Sequence, residues 1–85
     1  MKWLVKRFFK PSAKAMLELV VGELADFVIY VVRSLVTVDN LTSEEKRKQA
    51  FEAIKAEAQR RRVALKDSAI NLAIELAVQL IKRGR

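Results

Sequence analysis

Residues 67–83, DSAINLAIELAVQLIKR, determine how this chain folds. Their polar side chains recur at spacings of four, four and three, and so form one narrow line: Asn71, Glu75, Gln79 and Lys82. A helix with so small a polar face needs partners over most of its circumference, because its apolar surface is otherwise left in water. The sequence therefore predicts a helix from Ser68 to about Arg83, with Asp67 as its N-cap, that is buried on most sides within an all-α fold.

The preceding helix, predicted over about residues 42–62, has the opposite pattern. Thr42 followed by Glu45 is the signature of a capping box, in which each side chain binds the other residue's backbone N–H. Its apolar positions form only a thin stripe: Ala50, Phe51, Ile54 and Ala58. This pattern predicts a surface helix that forms an antiparallel hairpin with the last helix, as one unit over residues 42–85.

Three consecutive arginines, Arg60, Arg61 and Arg62, close the surface helix. Cations are favourable at the carboxyl end of a helix, so a solvated helix end explains them. Guanidinium groups also bind phosphate in a bidentate manner, so the same residues are candidate anion contacts.

Residues 12–38 contain the longest apolar pattern, with Ser12 as the expected N-cap. Four charged side chains share less than half of the helix circumference and are called here the polar stripe: Glu18, Glu23, Asp26 and Arg33. The remaining face is apolar, which predicts one long amphipathic helix with a broad apolar face. Because residues 27–32 are rich in β-branched side chains, a strand there is the alternative.

The run over residues 16–38 has the length of a membrane span. An acidic side chain near the centre costs roughly 2.5–3.5 kcal/mol to insert, and two such residues, Glu23 and Asp26, cancel most of the apolar gain. Insertion is therefore reasonable only if the polar stripe faces other copies or water. Whether this segment spans a bilayer stays open at this point.

The first eleven residues are predicted to form a separate basic aromatic arm. Aromatic side chains lie among bases, a composition that suits the headgroup region of a membrane and also suits contact with phosphate. The residues expected to make such contacts are Lys2, Trp3, Lys6, Arg7, Phe8, Phe9 and Lys10. The alternative is that these aromatics cover a neighbouring helix.

The amino-acid composition excludes several classes of catalytic and metal-binding site. The 85 residues contain neither Cys nor His, so disulfides, thiol nucleophiles, imidazole bases and zinc fingers are excluded. With Gly22 and Gly84 as the two glycines, no phosphate-binding glycine loop can form. We expect no enzyme activity, no cofactor and no metal site. The net charge of +7 favours an anionic partner, either membrane or nucleic acid.

Two broadly apolar helices in so short a chain predict more apolar surface than one copy covers. The sequence therefore predicts a homo-oligomer. The residues expected to mediate self-association are Val28, Val31, Leu35, Ile70, Ala73, Ile74, Ala77, Val78 and Ile81.

Residues Leu41–Lys82 resemble the carboxyl-terminal part of LLH-type bacteriophage holins. The likeness rests on EKRKQA at Glu45–Ala50, on DSAINLAIELAV at Asp67–Val78 and on the arginine-rich turn between them. It implies a small phage protein that accumulates, oligomerises and opens the host inner membrane. Such holins begin with a cleaner apolar segment, whereas residues 16–38 carry the polar stripe.

Three functions therefore stand as expectations. The first is holin-like permeabilisation, with the arm on the cytoplasmic side of the host inner membrane. The second is a soluble helical oligomer or a structural component of a phage virion, cytoplasmic if it is not assembled into particles. The third is nucleic-acid binding through the arginines of residues 60–62 and the bases of the arm.

Overall fold

The structure, a computed structural model, describes residues 12–83. Over this range the chain forms α1 (Ala13–Val21), a short 3-10 turn (Gly22–Leu24), α2 (Ala25–Val36), α3 (Ser43–Arg60) and α4 (Asp67–Arg83). The all-α prediction is confirmed. The alternative of a strand over residues 27–32 is wrong, because these residues lie within α2. The predicted basic aromatic arm lies outside the described residues.

The predicted starts of α1 and α3 are confirmed by their caps. The Ser12 hydroxyl accepts a hydrogen bond from the Ala15 N–H at 3.1 Å. At α3 both bonds of the capping box form, with the Glu45 N–H donating to Thr42 Oγ1 and the Thr42 N–H donating to Glu45 Oε1. Each cap is worth about 1 kcal/mol, because it satisfies N–H groups that have no partner inside the helix.

The start of α4 differs from the prediction by one residue. Asp67 is the first helical residue instead of the N-cap, and the Ile70 N–H donates to the Lys66 carbonyl. The Asp67 carboxylate instead lies 3.6 Å from Lys55 Nζ of α3. The acid still lies in the first turn, where it complements the helix dipole.

Helix α4 packs against α1, α2 and α3, and so lies at the centre of the bundle. Ile70, Ala73 and Ala77 are fully buried, and Ile74 and Leu76 nearly so. The prediction that this helix is buried on most sides is confirmed. Alanine at positions 73 and 77 allows neighbouring helices to approach closely, because it adds little bulk at the contact.

Helix α3 covers one side of α4 with the thin stripe that the sequence predicts. Ala50, Ile54 and Ala58 are buried at intervals of four residues, and the rest of α3 is mainly exposed. Ion pairs cross to α4 in opposite order along the two helices, from Arg47 to Glu75 at 3.2 Å and from Lys55 to Asp67. The two helices therefore run antiparallel.

The predicted single helix over residues 12–38 is wrong, because the chain changes direction at Gly22. This glycine has φ +57° and ψ −126°, a backbone conformation that side chains with a Cβ rarely adopt. The break lets Leu17 of α1, Leu24 of the turn and Val28 of α2 all become fully buried. Over residues 12–83, no helix combines the length and apolar character needed to cross a membrane.

The residues expected to mediate self-association lie inside the single-chain core. Six are buried, and the other three are partly buried and packed against them: Leu35, Val78 and Ile81. The expectation that one copy cannot cover these faces is wrong, because the turn at Gly22 brings both α1 and α2 onto α4. Homo-oligomerisation stays a prediction.

Replacing Gly22 with alanine tests this turn. No atom lies within 4 Å of a Cβ at position 22, so the cost is that of the positive φ alone. We expect G22A to lower the free energy of unfolding by about 1–3 kcal/mol in urea denaturation. In a continuous helix the same change would raise the free energy of unfolding by roughly 0.5–1 kcal/mol. The sign of the measured change therefore distinguishes a turn at Gly22 from a continuous helix. The neighbouring variant E23A serves as the control and should stay within about 0.5 kcal/mol of the wild type.

Candidate functional site

A cleft of about 760 Å³ lies between α1, α2 and the end of α4, and is called here the amino-terminal cleft. It is lined by Lys14, Asp26, Ile29, Tyr30, Arg33, Ser34, Thr37 and Leu80. Lys14 lies two residues after Ser12, so the start of the described chain lies beside this cleft.

The cleft combines cations with apolar and aromatic surface. Lys14 and Arg33 supply positive charge, and the Tyr30 side chain is 68% exposed. The hydroxyls of Ser34 and Thr37 already donate to backbone carbonyls of α2, each at 2.9 Å. Tyrosine with lysine and arginine is typical of surfaces at a membrane interface, where apolar rings and charged tips meet different environments.

The polar stripe is exposed throughout, but its members do not form one continuous face. Asp26 and Arg33 line the amino-terminal cleft, and Glu23 lies 3.8 Å from Arg61 at the end of α3. The change of direction at Gly22 separates Glu18 of α1 from the members on α2. Within residues 12–83, no three acidic side chains lie close enough together to hold a metal ion.

The outward side of α1 exposes large apolar side chains. Leu19 is 83% exposed and Met16 is 38% exposed, while Leu17 on the inward side is fully buried. Met16 and Leu19 are three residues apart and so share a helix face. Neither Met16 nor Leu19 is among the site residues that the sequence predicts.

The arginines of residues 60–62 are not equivalent. Arg60 and Arg61 both donate to the Glu57 carboxylate, with the closest contacts at 2.6 Å. These hydrogen bonds, from Arg60 first and Arg61 second, lower the pKa of Glu57 from 4.5 to about 2. Two of the three candidate anion contacts are therefore already occupied by an internal carboxylate. The spacing of Glu57, three and four residues before them, is the sequence signal for these pairs.

Arg62 has a different role in the backbone. It adopts φ +61°, and its N–H donates to the Gln59 carbonyl while the Val63 N–H donates to the Ala58 carbonyl. This is a Schellman motif, whose left-handed position is usually glycine. Among residues 12–83, no acidic side chain forms an ion pair with Arg62. Its guanidinium is the member of the three that an external anion can bind without displacing Glu57.

No protein-family model, no curated protein and no solved structure matches this chain. The resemblance of Leu41–Lys82 to LLH-type holins therefore stays a prediction, and the geometry above is what supports a function.

The low pKa of Glu57 predicts acid-sensitive stability. The pKa of Glu57 in the folded state, about 2, lies below its ordinary value of 4.5. The ionised carboxylate therefore stabilises the fold above pH 4.5, and this contribution is lost as the pH falls towards 2. In thermal unfolding, E57Q should have a lower Tm than the wild type at pH 7, and the difference should shrink across this range. The control E52Q should leave the wild-type pH profile unchanged, and parallel curves for E57Q would contradict the role of Glu57.

The conformation of Arg62 predicts a stabilising substitution. Glycine adopts positive φ without the Cβ penalty, so R62G should raise the free energy of unfolding by about 1 kcal/mol. Q59G, inside the last turn of α3, should lower it by about the same amount, because glycine weakens an ordinary helical position. Urea denaturation measures both, and equal effects of the two variants would contradict the motif.

Proposed function

We propose that this chain is a small phage-type helical protein that binds the anionic inner surface of a host membrane. The basic aromatic arm and the outward side of α1 together form the membrane-binding surface. The observation that carries the proposal is the exposure of Leu19, at 83%, on the helix that directly follows the arm. An apolar side chain so exposed gains free energy when it enters the interface of a bilayer.

Positive charge accompanies this apolar surface. The arm contributes Lys2, Lys6, Arg7 and Lys10, and no acidic residue occurs before Glu18. Each base near an anionic leaflet is worth roughly 1 kcal/mol of attraction, which decays within a Debye length. In the amino-terminal cleft, Lys14 and Arg33 supply two positive charges against the one negative charge of Asp26. Electrostatic attraction and apolar insertion therefore come from adjacent segments of the sequence, the arm and α1.

Holin-like permeabilisation is the finer form of the proposal, and it rests on the resemblance of residues 41–82. It requires a second step after surface binding, because Val28, Val31 and Ile74 are buried within one copy. These side chains would have to leave the single-chain core and repack between copies in the membrane. Membrane binding and permeabilisation therefore have to be measured separately.

Vesicle flotation with tryptophan fluorescence tests the binding step. Trp3 is the only tryptophan, so its emission reports on the arm without a label. With phosphatidylglycerol vesicles at low salt, we expect the protein to float and its emission to shift to the blue. Phosphatidylcholine vesicles or high salt should abolish most of the binding, because the attraction is electrostatic. A protein that stays unbound under all of these conditions would contradict the proposal.

Matched leucine variants test the contribution of α1. L19S should weaken vesicle binding by about tenfold, whereas L72S, which alters an exposed leucine on α4, should leave it unchanged. The reverse result would place the membrane-binding surface elsewhere.

Dye release by bound protein would support permeabilisation, and binding without release would limit the function to surface attachment. A stable oligomer that does not float would instead favour the structural role in a virion.

A further inference from the structure

A second cavity, of about 270 Å³, lies where α2 ends and α3 begins, and is called here the α2–α3 groove. Its apolar floor includes Val32, Ala50 and Ile74, which are almost fully buried, and Val78 on α4 closes one side. Lys46 and Arg47 of α3 line the same groove. It is distinct from the amino-terminal cleft, with which it shares no lining residue.

The two cations of the groove have different partners. Arg47 Nη2 lies 3.2 Å from Glu75 Oε2, so this pair is close to neutral. Lys46 Nζ donates to the Val36 carbonyl at 3.3 Å, and no acidic side chain among residues 12–83 forms an ion pair with it. An ammonium group has three donors, so Lys46 retains two. The groove therefore presents one uncompensated positive charge beside an apolar floor.

The size of the groove suits a single alkyl chain. An apolar cavity of about 150 Å³ holds benzene, so a cavity of about 270 Å³ has room for a longer apolar group. The exposure of Val36, at 46%, shows that apolar surface continues from the floor to the mouth. A linear chain with its polar end at the mouth fits this arrangement, because it buries methylene groups and leaves its head beside Lys46.

We infer that the α2–α3 groove binds the anion of a medium-chain fatty acid. The alkyl tail lies against Val32, Ala50 and Ile74, and the carboxylate accepts hydrogen bonds from the Lys46 ammonium. A carboxylate near an apolar surface requires a charged partner, and Lys46 supplies one of matching magnitude. A cationic amphiphile of the same length meets repulsion there, and a neutral alcohol loses the ion pair.

This inference is independent of the membrane proposal. Vesicle binding depends on the arm and Leu19, whereas fatty-acid binding depends on Lys46 and the groove. Failure of one leaves the other intact, since the variants used for each lie on different surfaces.

Titration of the full chain with sodium decanoate, followed by methyl NMR, tests the inference. We expect saturable shifts of the methyl groups of Val32, Ala50, Ile74 and Val78, with weaker binding of decanol and no saturable shifts with decyltrimethylammonium. K46Q should weaken decanoate binding by about tenfold and leave decanol binding unchanged. K48Q, an exposed lysine on α3 that does not line the groove, is the matched control and should bind decanoate as the wild type does.

Several outcomes would overturn the inference. One is that decanoate leaves these methyl groups unshifted. Another is that K46Q and K48Q bind decanoate equally, which would show attraction to the general positive charge. Shifts of the same methyl groups with protein concentration alone would assign the groove to a second copy. Nuclear Overhauser contacts from Trp3 to these methyl groups without ligand would assign it to the arm.

Discussion

Burial of α4 is the constraint on which the rest of the structure depends. This helix has so little polar surface that water must be excluded from most of its circumference. In an 85-residue chain, three other helices have to supply that cover, and α1, α2 and α3 all pack on α4. The change of direction at Gly22 follows from this requirement, because a straight helix over residues 12–38 would present only one of its halves to α4. The alanines of α4 and of α3 allow this packing at close range.

The charged residues have a secondary part in stability and a larger part in deciding which surfaces are open to partners. Exposed ion pairs such as Arg47–Glu75 contribute at most about 1 kcal/mol, because water and salt screen them. Two of them join α3 to α4. At the end of α3, Glu57 holds Arg60 and Arg61. Among residues 12–83, the cations that form no ion pair include Arg62, Lys46 and both cations of the amino-terminal cleft.

Both proposed binding surfaces combine apolar and cationic groups, and both suit an anionic amphiphile. The outward side of α1 exposes Leu19 and Met16 on the helix that follows the basic arm in the sequence, and the α2–α3 groove places Lys46 beside an apolar floor. The first is open and convex and suits a bilayer surface. The second is concave and suits one alkyl chain. The fold separates these surfaces by using α4 as the common support of both.

Local physics made much of this fold predictable from sequence alone. Hydrophobic periodicity predicted the burial of α4 and the thin stripe of α3, and side-chain capping predicted the starts of α1 and α3. These features depend on residues within a few positions of one another. The change of direction at Gly22 and the burial of Val28 and Ile74 within one copy depended on the path of the chain. Periodicity shows that a face is apolar, but only long-range packing decides whether its own chain, a partner or solvent covers it.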